Sequence, residues 1–90
     1  MAMKDDGLAK LLEEMGELST AVAKKQAYYH TDIHPDGGPP LSERMEDETG
    51  DVLAACQFVI ENFGLDAARI EARRLEKLAI YKRWHADPDN

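Results

Sequence analysis

Three features of this 90-residue sequence predict an all-α fold. Apolar residues recur at intervals of three and four along separate stretches, which is the period of amphipathic helices. No segment alternates apolar and polar residues at the period of two that marks a half-buried strand, and no internal repeat or heptad run stands out. A single proline- and glycine-rich break divides the first two stretches. The length fits one small domain covering residues 1–90, and a chain this short buries a smaller fraction of its surface than a larger one.

The first helix is expected from about Asp5 or Asp6 to about Tyr29. Leu8, Leu11, Leu12, Met15, Leu18 and Val22 form its apolar face. Asp5 and Asp6 are suited to capping it and to the positive end of its dipole. Glu13, Glu14 and Glu17 fall away from the apolar face, with Glu14 at its border. Residues 30–41 then hold three prolines and two glycines, which no helix continues through. Ser42 is the expected N-cap of a second helix that ends near Phe63, with Gly64 as the stop. Met45, Thr49, Val52, Leu53, Cys56, Val59, Ile60 and Phe63 make its stripe, flanked by Glu48 and Asp51. Asp66 is expected to cap a third helix running to about Trp84. There the apolar residues Ile70, Leu75, Leu78, Ile80, Tyr81 and Trp84 spread around much of the wheel, which calls for more than one packing partner. Three short helices leave apolar surface that a monomer can hardly cover, so self-association is expected.

Composition narrows the function classes. No run approaches the roughly 18 apolar residues of a membrane span, and the N-terminus lacks the apolar core of a signal peptide, so a cytoplasmic protein is expected. The lone Cys56 has no partner for an intramolecular disulfide and lies on an apolar stripe, which reads as core packing. Net charge is −7, from 11 basic and 18 acidic residues, which disfavours binding to nucleic-acid polymers through their phosphates. The charge is uneven: residues 66–85 hold six basic groups against three acidic ones, whereas residues 1–65 hold five against thirteen. An acidic site beside a basic segment is the layout expected for a metal-bound polyphosphate.

The acidic residues include two matched pairs, Glu14-Met15-Gly16-Glu17 and Glu48-Thr49-Gly50-Asp51. Residues three apart on a helix lie about 60° apart around the axis and about 4.5 Å along it, so each pair faces one way. Side-by-side packing of the two helices would bring four carboxylates together. Such a cluster repels itself unless a cation neutralises it, and hard divalent ions take oxygen ligands of this kind. Both pairs contain a helical glycine, which costs about 1 kcal/mol relative to alanine. The repeated cost suggests either close helix approach or room for a ligand.

Glu13-Glu14-Met15-Gly16-Glu17-Leu18 followed by Glu48-Thr49-Gly50-Asp51-Val52-Leu53 resembles the MazG-type all-α nucleoside triphosphate pyrophosphohydrolases, whose signature is E-x-x-E, a variable spacer and E-x-x-D. The resemblance covers roughly residues 8–84. It implies a helical bundle completed by homo-oligomerisation, as a homodimer or homotetramer. It also implies Mg²⁺, with Mn²⁺ as an alternative, held by Glu14, Glu17, Glu48 and Asp51 as the catalytic centre. The implied reaction is hydrolysis of a nucleoside triphosphate to the monophosphate and pyrophosphate. Relatives often carry K-x-x-x-N on the following helix; Lys77 fills the first place, but Tyr81 stands where asparagine would be. Arg73, Arg74, Lys77, Tyr81 and Arg83 are the candidate substrate-binding residues, and for any one basic group a solvated helix face is an equal reading. Phosphoribosyl-ATP hydrolysis would use the same acids, and a non-catalytic acidic module that binds metal or a partner is the rival from another class.

Two further groups of residues carry weaker signals. His30, Asp32, His34 and Asp36 match no standard zinc spacing and read as an ordinary loop. Tyr28, Tyr29, Phe58, Tyr81 and Trp84 include candidate base-stacking groups, although aromatic residues near helix ends more often serve a core or an interface.

Overall fold

The computed structural model describes residues 6–87, which fold as three α-helices: α1 (Leu8–Ala27), α2 (Leu41–Phe63) and α3 (Ala67–Ala86). No strand occurs among the described residues, in keeping with the all-α expectation. No helix among them is long and apolar enough to cross a membrane.

α1 starts later than expected. Its N-cap is Gly7, at φ 97°, preceded by Asp6 at φ 53°, and no side chain caps the helix; Asp5 lies outside the described residues. A Cβ on Gly7 would lie 2.6 Å from the Phe58 ring, so the left-handed turn and the close approach to α2 both favour glycine. The helix ends at Ala27, two residues short of Tyr29, where Tyr28 leaves helical geometry while its N–H still donates to Lys24 O at 3.0 Å.

The connection across residues 28–40 is tied down by polar side chains of the flanking helices and by a ring contact of its own. Lys25 Nζ donates to Thr31 O at 2.9 Å, Arg44 Nε donates to Pro39 O at 2.9 Å, and Tyr28 meets His34 edge-on with ring centroids 4.8 Å apart. The N-cap of α2 is Pro40, not Ser42. Ser42 lies in the first turn, where its N–H and its hydroxyl each donate to the Asp32 carboxylate at 2.7 Å. The oxygen that a cap residue normally supplies therefore comes from the loop. Leu41, the first residue of the helix, is 1% exposed and anchors this end of the hairpin. The other helix boundaries follow expectation more closely. Gly64 ends α2 at φ 60°, with its N–H donating to Ile60 O. The Asp66 side chain accepts from the Arg69 N–H at 3.0 Å to start α3, which runs two residues past Trp84 to Ala86.

α1 and α2 pack as an antiparallel hairpin, with Gly7 beside Phe58 and Val59 at one end and Glu14 and Glu17 opposite Glu48 and Asp51 further along. Ala21, Leu41, Ala55 and Val59 are its buried apolar residues, and Cys56 is half-buried among them. The inner face of α1 is rotated from the leucine stripe. Glu14 and Ala21 are buried, while Leu8, Leu12, Met15 and Val22 are exposed. α3 packs extensively on neither α1 nor α2, and none of its residues is buried. The molecule is accordingly flat and open, 41 × 38 × 15 Å. Its radius of gyration of 16.1 Å exceeds the roughly 12 Å of a compact domain of this length.

Candidate metal centre

The antiparallel hairpin brings the two acidic pairs face to face. Glu14, Glu17, Glu48 and Asp51 each offer one carboxylate oxygen, and these four atoms lie within 4.8 Å of one another. An ion with bonds of about 2.0–2.6 Å has a coordination sphere about 4–5 Å across, so the spread suits one ion as it stands. Glu13, on the same turn of α1, is not part of the group.

The four carboxylates sit in unlike surroundings. Glu14 is 6% exposed, Glu48 is half-buried, and Glu17 and Asp51 face solvent. Burial of a carboxylate is costly unless its oxygens find partners. Glu14 Oε1 has one in Lys10 Nζ at 3.1 Å. Glu14 Oε2 and Glu48 Oε2 are both buried without a hydrogen-bond partner. Repulsion from Glu14, with smaller contributions from burial, Glu48 and Glu13, pushes the Glu17 carboxyl above the ordinary glutamate range. Two orphaned acceptors and a carboxylate pushed toward protonation describe a site short of positive charge. An all-oxygen donor set of this sort fits a hard divalent cation better than a transition metal seeking nitrogen or sulfur.

The glycines within the two motifs do not serve a close approach of the two helices. A Cβ at Gly16 or Gly50 would meet nothing within 4 Å, so neither glycine permits a close approach of α1 to α2. What remains is open space over both helices.

No family model, curated protein or solved structure matches this chain. The assignment of the site therefore rests on its residues.

The proposed substrate-binding cations are not gathered at the acids within one chain. Arg73 and Arg74 pair with Glu76 and Glu71 along α3, as a solvated helix face does, and the hollow containing Arg69, Arg73, Arg74 and Lys77 is lined by α3 residues. Tyr81 stacks obliquely on Trp84, with centroids 5.7 Å apart, also on α3. The residues 30–36 loop forms no metal-binding group among the described residues: Asp32 caps α2, and Asp36 contacts His34 and Arg44.

A cation overlooked by the sequence reading stands at the site. Lys10 precedes Glu14 by four residues, the spacing of helix ion pairs, so it was legible in principle. It also lines a cavity of about 360 Å³ that begins at Glu14 and Asp51 and runs between α1 and α2 toward Phe58.

Proposed function

We propose that this chain is a divalent-metal-dependent nucleoside triphosphate pyrophosphohydrolase of MazG-like type, releasing the monophosphate and pyrophosphate. The observation that carries the reading is the pair of buried, unpartnered oxygens on Glu14 and Glu48, two members of a four-carboxylate cluster. A surface cluster of acids without a ligand would turn those atoms toward water. The E-x-x-E and E-x-x-D motifs that supply the cluster support the same reading from the sequence.

Glu14, Glu17, Glu48 and Asp51 would hold the ion, preferably Mg²⁺. A bound Mg²⁺ supplies neutralisation of the phosphate oxygens and a more acidic water. The carboxylates nearest solvent, Glu17 and Asp51, are placed to orient that water and accept its proton at a carboxylate oxygen. Basic side chains of α3, with Lys77 foremost, would stabilise the leaving pyrophosphate as charge accumulates on it. Because α3 packs extensively on neither helix of its own hairpin, homo-oligomerisation is the arrangement that would set these cations over an acidic cluster. The open shape and the exposed Leu12, Met15, Leu75 and Trp84 favour the same conclusion.

The test is pyrophosphate release from a panel of nucleoside triphosphates and phosphoribosyl-ATP, with Mg²⁺, with Mn²⁺ and with chelator, followed by chromatography of the products. Monophosphate with intact pyrophosphate is expected, only with metal. Nucleoside diphosphate and free phosphate as first products would overturn the cleavage site. Absence of turnover on every substrate would favour the non-catalytic module.

A further inference from the structure

Lys10 lies one turn before Glu14 on α1, with its Nζ 3.1 Å from Glu14 Oε1 and 3.5 Å from Glu13 Oε1. Its side chain is exposed, whereas that of Glu14 is buried, so the ammonium stands nearer solvent than the carboxylate it holds. Among the described residues it is the basic side chain paired with a member of the cluster; Arg73 and Arg74 pair with acids of α3 instead. A cavity lined by Lys10, Glu14 and Asp51 gives the ammonium and the acids a common open side. Four ionised carboxylates around one divalent ion keep an excess of two negative charges, which repels a phosphate. Lys10 is placed to remove part of that excess. Toward an ion alone its effect is the reverse, because two cations compete for Glu14 and repel each other.

We propose that Lys10 couples the binding of the divalent ion to that of the phosphates: it neutralises Glu14 before the ion arrives, and turns to a phosphate oxygen once the ion has taken that carboxylate. The proposal rests on the pyrophosphohydrolase reading for the identity of the anion. Lys10 thus weakens the binding of an ion by itself and strengthens the binding of an ion together with a polyphosphate. A phosphate between the two cations is attracted to both, which offsets their mutual repulsion. Lysine suits such an exchange of partners. Its ammonium is a compact charge with rotatable donors on a flexible four-carbon stem, without the fixed fork of arginine. Coupling between two ligands is reciprocal, so a bound polyphosphate tightens the ion by the same factor by which the ion tightens the polyphosphate. Direct contact between ion and phosphate supplies some of this coupling in any case; Lys10 adds a share that its removal deletes. The consequence is a site that resists free divalent ions and fills with the metal–polyphosphate complex.

Lys10→Met keeps the stem and a high helix propensity and removes the charge. Calorimetry reads two constants, one for Mn²⁺ alone and one for inorganic pyrophosphate titrated into the Mn²⁺-saturated protein. In Lys10→Met the first should tighten by about threefold or more while the second weakens by about fivefold or more, coupling between sites being typically about 5–150-fold. Lys10→Gln retains a hydrogen-bond donor for Glu14 and so guards against loss of the fold; it should reproduce both shifts. Lys24→Met removes the same charge from α1 ten residues beyond Glu14, about 15 Å along the helix and outside the Debye length of about 8 Å. It should leave both constants within about twofold. Circular dichroism confirms the helices in each variant. Shifts of the same sign in the two constants, either constant unmoved by loss of the Lys10 charge, or equal shifts in Lys24→Met would each overturn the proposal while leaving the metal–phosphate site standing. Failure of pyrophosphate to bind the unaltered protein saturated with Mn²⁺ would instead remove the underlying reading, and this proposal with it.

Discussion

Lys10 Nζ lies 3.1 Å from Glu14 Oε1 and 3.5 Å from Glu13 Oε1, on the turn of α1 before the buried carboxylate. Those two acids hold the ammonium pKa above its ordinary value, so the lysine is charged and is the cation closest to the cluster that the structure identifies. In the metal-free protein it does part of the work a divalent ion would do.

Lys10→Met should therefore have opposite effects in two measurements. Thermal melting of the metal-free protein should fall, because Glu14 loses its counter-charge while staying buried. Affinity for Mn²⁺, read by calorimetry, should rise, because a competing cation has gone. If both quantities stay unchanged, the pair contributes nothing at the site.

Glu48→Ala should abolish turnover and the stabilisation that divalent ions confer. A ligand at about 100 times its Kd raises folding stability by about 2.7 kcal/mol, a gain visible in thermal melts of the unaltered protein. The variant should show no such gain, yet its metal-free melting temperature should be equal or higher, since mutual repulsion among the acids is reduced. Near-normal activity in this variant would remove the central claim about the cluster.

Asp32→Asn tests the loop's hold on α2. The Ser42 hydroxyl and N–H keep the Asp32 carboxyl below the ordinary aspartate range. A depressed folded pKa means that the unfolded chain binds the proton more readily, so the stabilisation is complete above the unfolded value and disappears as pH falls through the folded one. The difference in melting temperature between the unaltered protein and Asp32→Asn should be constant near neutrality and shrink in acid, below the ordinary aspartate range. A difference that grows on acidification would refute the assignment.

Gly7→Ala should destabilise the protein by about 1–3 kcal/mol through a left-handed backbone that alanine tolerates poorly. For a domain of this size that corresponds to a fall of roughly 4–8 °C in Tm for each kcal/mol. The methyl would also press on Phe58, so a melting temperature equal to that of the unaltered protein would show that the turn at Gly7 is freely remade.

Self-association is tested by light scattering at micromolar concentration. The expected mass is at least twice the 10.1 kDa of the chain. A monomer mass throughout that range would require another partner for the exposed apolar residues.

The three helices and the convergence of the four acids were legible because periodicity and i,i+3 spacing are local properties. The caps at Asp66 and Gly64 were legible for the same reason. The start of α2 was not, because its first turn is satisfied by Asp32 from across the loop, a contact set by the chain's path. The inner face of α1 also escaped the pattern. Leucine periodicity points toward Leu12 and Met15, but the hairpin packs around Glu14 and Ala21 and leaves those larger side chains outside. An acidic cluster placed between two helices displaces apolar residues from the contact, so the inner face runs along Leu11, Glu14, Leu18 and Ala21, at the edge of the predicted stripe. The open space over Gly16 and Gly50 was one of two readings that sequence could not separate, since a helical glycine carries no record of what approaches it.

The isolation of α3 has a consequence for amide exchange. Most helical stability in proteins comes from tertiary packing, and without it α3 relies on its Asp66 cap and on the short-range pairs Arg73–Glu76 and Arg74–Glu71. Exchange protection in the dissociated chain should thus divide sharply, high between Leu11 and Ala21 and between Val52 and Ile60, low from Ala67 to Ala86. Whatever docks against α3 would be recorded there first, as slowed exchange along one edge of an otherwise fast-exchanging helix, before any change appeared in the hairpin.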